Sequence, residues 1–121
     1  MNRSAKFYYV QVAQLAEAND FFQNRLGMDT EQTFLSEQEK CILVKPDHYT
    51  SIFLSEQKHD YQTAKVLIPT TDLLEDYCKL KANGIEFSRM PVYLNEGLSA
   101  TFSDPYGNEY IILEYRNYTE D

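Results

Sequence analysis

The second half of this chain repeats the pattern of the first. Across residues 14–26, apolar side chains recur at Leu15, Ala18, Phe22 and Leu26, the spacing of one helical face, and Gly27 follows where a helix end favours a left-handed residue. Residues 72–84 behave alike: Asp72 with Glu75 three positions on resembles a capping box, Leu73, Tyr77 and Leu80 form the stripe, and Gly84 ends it. The two glycines stand 57 residues apart. A β-prone run precedes each helix, at residues 7–12 and 64–68. Three short β-prone runs follow each, at 31–35, 40–45 and 50–55 and again at 85–88, 98–103 and 108–115. Two βαβββ units cannot each bury both faces of their own strands, so they are expected to pair and close a curved mixed sheet, a cup with the helices outside. The fold class is therefore α+β in one domain spanning residues 1–121, with one module over residues 1–57 and the other over residues 63–117. The polar stretch 56–62 connects them.

The last two runs are joined by a well-specified turn, Asp104-Pro105-Tyr106-Gly107-Asn108. An aspartate at the first position can accept from a backbone N–H two residues on, proline presets the next φ, and glycine supplies a positive φ. The strand that follows, Glu109-Tyr110-Ile111-Ile112-Leu113-Glu114, is dominated by Tyr, Ile and Leu, a composition expected to pack on both faces.

Charge narrows the class of partner. The formal charge is −8, with lysine and arginine scattered, which argues against nucleic acid because phosphate binding draws on clustered cations. No stretch approaches membrane-spanning length, and the N-terminal apolar run is interrupted by Gln11 and Gln14 and lacks a small-residue cleavage site. Cys41 and Cys78 fall in a strand and a helix with no CxxC spacing, and two buried, reduced thiols in a cytoplasmic protein are expected.

The repeat and its closing turn resemble the vicinal oxygen chelate superfamily, which includes glyoxalase I, bleomycin-resistance proteins and extradiol dioxygenases. The stretch Phe21-Phe22-Gln23-Asn24-Arg25-Leu26-Gly27-Met28 looks like that family's first helix ending, so the resemblance covers nearly the whole chain. The alternative is an ordinary ferredoxin-like α+β domain. In metal-dependent members each module supplies two ligands, typically His, Glu or Gln, from strands facing the cup, and a divalent ion there acts as a Lewis acid or activates dioxygen. The positions that the resemblance assigns to those ligands carry Phe7, Phe53, Lys65 and Ile111, none a donor at neutral pH. A shift by one residue in either direction restores no set. His48 and His59 fall in a turn and in the connector, and Glu109 is the one carboxylate that reaches the cup from the last strand. No metal and no cofactor are expected, which weighs against glyoxalase I and extradiol dioxygenase chemistry.

What remains is the cup itself. Strand alternation puts Phe7, Tyr9 and Gln11 on one face of the first strand, with Val10 and Val12 on the other. The same parity directs Tyr49, Phe53 and Lys65 inward, and Thr101, Ile111 and Leu113 with them. An aromatic lining with polar tips suits a planar, partly polar small molecule, and Lys65 suggests an anionic one. Two readings follow: a metal-independent binding protein of the bleomycin-resistance kind, or an enzyme with altered ligation that uses Lys65 or Tyr9 as acid or base. A third, bland reading has the rings filling a closed core while Lys65 reaches the rim. A homodimer is expected, side by side or with exchanged modules, with Tyr106, Tyr110 and Tyr118 as exposed aromatic anchors.

Overall fold

In the computed structural model, which describes residues 5–60 and 62–116, the repeat appears as two four-stranded mixed sheets. The first sheet contains β1 (Lys6–Val12), β2 (Asp29–Phe34), β3 (Lys40–Lys45) and β4 (Thr50–Glu56) in the order β1-β4-β3-β2. The second contains β5 (Lys65–Pro69), β6 (Val92–Tyr93), β7 (Gly97–Ser103) and β8 (Glu109–Tyr115) in the order β5-β8-β7-β6. Within each, the first strand runs parallel to the last and the other pairs are antiparallel, so each βαβββ unit builds the same sheet. The sheets are open rather than closed into a barrel.

Each sheet buries its even-numbered face. Val10, Val12, Ile42, Val44, Ile52 and Leu54 from the first sheet share one core with Val66, Ile68, Leu98, Ala100, Phe102, Tyr110 and Ile112 from the second. The helices lie on that face. The helix α1 (Leu15–Asp20) runs on into a π-helical turn, Phe21–Arg25, and α2 (Leu73–Ala82) covers the second sheet. The π turn lets the adjacent Phe21 and Phe22 both enter the core, where Phe22 meets Tyr110 edge-on at 5.5 Å, joining the first module's helix to the second module's last strand. Gly27 and Gly84 follow the helices with φ of +69° and +91°, as their spacing predicts. Asp72 caps α2 by accepting from the Glu75 N–H at 3.1 Å, and Glu114 on β8 accepts from the Leu73 N–H at 2.8 Å.

Three expectations need correction. Residues 85–88 do not form a strand: only a Phe87–Phe102 bridge forms, Phe87 packs against Tyr77 and Phe102, and the pairing passes to Val92 and Tyr93 after Pro91. Cys41 is buried but Cys78 is exposed on α2. Tyr106 and Tyr110 are not exposed anchors but buried, and each hydroxyl is hydrogen-bonded; Tyr118 lies outside the described residues.

Candidate functional site

The Asp104–Asn108 turn joins the modules rather than merely reversing the chain. Asp104 Oδ1 accepts from the Tyr106 and Asn108 N–H groups at 2.9 and 3.0 Å, and its Oδ2 accepts from Asn108 Nδ2 and the Tyr110 hydroxyl at 2.9 and 2.8 Å. Asn108, wholly buried, also donates to the Gln11 carbonyl on β1 and accepts from the Ala64 N–H before β5. The Tyr106 hydroxyl donates to Glu17 Oε1 at 2.5 Å and reaches the Gln14 carbonyl, both on the α1 side. A buried carboxylate persists only when its lone pairs are filled, and here four donors fill them. Burial, followed by the Asp104 charge and hydrogen bond, pushes the Tyr110 phenol far above its ordinary range.

The odd-numbered faces, turned away from that core, carry the predicted lining. Phe7 and Tyr9 are 59% and 64% exposed, and both stack with Phe53 on β4, at 6.4 Å and 22° and at 5.3 Å and 15° between rings. The pairing register explains the row: Tyr9 stands opposite Phe53, and Phe7 lies two residues back on the same face. Tyr49 is exposed just before β4, and its carbonyl accepts from the Lys6 N–H. Ile111 and Thr101 are half-buried and stand opposite each other, and Leu113 on the same face of β8 is buried. Gln11 has its side-chain oxygen engaged within the protein. Its Oε1 accepts from the Gln62 N–H and its carbonyl from Asn108, so it braces the seam between modules.

Lys65 is the clearest departure from expectation. Its side chain is 79% exposed, and its Nζ lies 3.9 Å from Glu109 Oε1, the residue opposite it on β8. A surface pair of this kind contributes less than about 1 kcal/mol. The sequence reading places this ammonium in a buried or half-buried cup, whereas the fold leaves it largely in water beside a carboxylate.

Among the described residues, concavities lie away from this row, on the helix side. One of about 610 Å³ is bounded by α1, residues 84–88 and residues 103–105. Another, of about 560 Å³, is bounded by α2 and loops of both modules. A third, of about 620 Å³, is lined by Tyr77, Lys81 and residues 84–87 with Arg89 and Met90. Residue spacing gave no sign of them, because their walls meet only across the module junction or after the unpredicted loop at 85–91.

The sequence model of the Glyoxalase/Bleomycin resistance protein/Dioxygenase superfamily matches residues 2–112. The chain belongs to this superfamily. An uncharacterized protein of Shewanella frigidimarina (strain NCIMB 400) is 30% identical over 112 residues, covering 81% of this chain and 83% of its own length. Among solved structures, TnmS3, an antibiotic binding protein from Streptomyces sp. CB03234, superposes with a TM-score of 0.79 at 23% identity, over 95% of this chain and 98% of its own. A glyoxalase/bleomycin resistance protein from the same organism gives 0.77 at 24% identity, over 91% and 99%. At these identities the superpositions show the fold alone.

The donor set does not fit the divalent ion that metal-dependent members of the superfamily hold. Two phenyl rings, an ammonium and an alkyl chain stand at the four positions that the resemblance assigns to the ligands, Phe7, Phe53, Lys65 and Ile111. Among the described residues, no group of three or more His, Cys, Asp or Glu side chains is placed to hold a metal. His48 and His59 are both exposed. Among the described residues, no helix is long and apolar enough to cross a membrane.

Proposed function

We propose that the protein binds a small planar organic molecule against the ring row Phe7–Phe53–Tyr9, without a resident metal. The observation that carries this reading is a row of three near-parallel rings, Phe7 and Tyr9 exposed and Phe53 half-buried, on the face that the resemblance assigns to the cup. Phenyl faces held by sheet register cannot fold away from water, and a flat ligand laid on them removes apolar area and gains offset stacking. The Tyr9 hydroxyl gives orientation at one end. The adjacency of Lys65 to Glu109 favours a neutral ligand over the anionic one suggested by the sequence. Binding of an antibiotic by a relative of the same fold is consistent with this chemistry.

The cup is completed by a second copy. Phe7 and Tyr9 are more than half exposed in the single chain, and a two-fold pair burying more than about 1,000 Å² closes the open side of the cup. An enzymatic reading based on Lys65 has no support from its exposed, carboxylate-paired position. A thermal-shift screen of planar aromatic against saturated cyclic compounds tests the proposal. Planar compounds are expected to raise the Tm of the natural chain and not that of Phe53→Ser. Equal shifts in both proteins would sink it.

A further inference from the structure

The repeat sets two clefts at related places on the helix side. Each lies between a helix, the loop after the other module's helix, at Gly84 or Gly27, and the turn before that other module's last strand, at Asp104 or Asp47. The cleft beside α2 is walled by both modules, with residues 26–28 and 46–47 facing residues 68–71 and α2. Its volume of about 560 Å³ falls within the range of small-molecule sites, and such sites favour junctions between structural units.

Its floor is apolar: Leu26, Ile68, Leu80 and Ile112 are each less than a tenth exposed. Its rim carries both signs of charge. Asp76 and Lys79 stand three residues apart on α2, hence on one face, and among the described residues neither is in an ion pair. Asp76 accepts from the Thr70 hydroxyl, and Asp47 accepts from the Tyr49 and Thr50 N–H groups, which holds both carboxylates in place.

The rim sets two carboxylates, Asp47 and Asp76, beside one ammonium, Lys79, so a carboxylate alone is opposed by both aspartates, an ammonium alone leaves Lys79 without a partner, and a ligand carrying both signs on neighbouring carbons engages both kinds of group. We infer that this cleft takes a small α-amino-acid zwitterion with an apolar side chain. The side chain lies on the Leu26–Ile68–Leu80–Ile112 floor, the carboxylate faces Lys79 and the ammonium faces Asp76. The related cleft beside α1 discriminates against the same molecule. It is lined by Glu17, Asp20, Glu86 and Asp104 against the single guanidinium of Arg25, an arrangement that repels a carboxylate.

Backbone amide NMR of the full chain, titrated with L-leucine, tests this. Two single-charge analogues, 4-methylpentanoate and 3-methylbutylamine, serve as controls. Leucine is expected to shift the amides of Met28, Asp76, Lys79 and Asn83, with each analogue binding at least about tenfold more weakly. Lys79→Met, at an exposed position that leaves the fold intact, is expected to weaken leucine by about tenfold, while Phe53→Ser leaves it unchanged. The inference is overturned by an absence of shifts up to the solubility limit of leucine, by analogues that bind as well as leucine, by shifts confined to residues 84–88, or by indifference to Lys79→Met.

Discussion

The two modules share a topology and divide the labour. In the first, the turn before the last strand is shallow: among the described residues, Asp47 accepts from its own neighbours Tyr49 and Thr50, beside an exposed Tyr49. In the second, the equivalent Asp104 is buried and bound to two backbone amides, an asparagine and a phenol, and through Asn108 and Tyr106 the turn grips β1 and α1 of the other module. The outward faces differ in the opposite sense. The first module exposes its ring row, while the second offers the half-buried Thr101 and Ile111 beside the buried Leu113 and Ser99. The module with the loose turn carries the candidate binding surface, and the module with the buried turn holds the pair together.

Replacement of the two aspartates in parallel should break this comparison most visibly. Asp104→Ala strands Asn108, the Tyr110 hydroxyl and two N–H groups in the core, and is expected to cost about 3 kcal/mol or more. Asp47→Ala leaves the N–H of the exposed Tyr49 to water and only that of the buried Thr50 without its partner, and about 1 kcal/mol is expected. Urea unfolding of both variants measures the gap. Equal losses would mean that the buried turn is no more than a chain reversal.

A smaller effect sharpens the same contrast. The phenol of Tyr110 is held protonated in the folded chain, while in the unfolded chain it ionises near the ordinary value of about 10. Its folded pKa is raised, so its contribution is fully present below that unfolded value and is lost progressively as pH rises above it. Tyr110→Phe should lower stability by about 1 kcal/mol at neutral pH through the lost bond to Asp104. It should also flatten the alkaline decline, so the two stability curves converge as pH rises beyond 10. Parallel curves from pH 8 to 11 would show that this phenol does not carry the linkage.

How much of this was legible in the sequence follows the range of the interactions. Strand parity was readable because it is local: Val10 and Val12 share the buried face and Phe7 and Tyr9 the opposite one, as alternation requires, although that opposite face, expected to line an inward cup, is open to solvent. The helix caps at Asp72, Gly27 and Gly84 were local too. The burial of Tyr106 and Tyr110 was not, because a tyrosine is buried only where its hydroxyl finds a partner, and Tyr106 finds Glu17 89 residues earlier in the chain. Residues 85–88 alternate as a strand does, yet Phe87 is drawn onto Tyr77 and Phe102 and leaves only a bridge behind. Among the candidate site residues, the ring row follows from parity and register together. The roles of Gln11 and Lys65 depended on Gln62, Asn108 and Glu109, which reach them only through the fold.

The central claim, that the exposed rings are a binding surface, is tested most directly by carbon-resolved aromatic NMR during titration with a planar compound that raises the Tm. The account predicts ring-current shifts concentrated on Phe7, Tyr9 and Phe53, saturating together with one dissociation constant, while Phe22, Phe102 and Tyr110 in the core stay still. Saturating shifts on other rings, with Phe7, Tyr9 and Phe53 unmoved, would contradict it.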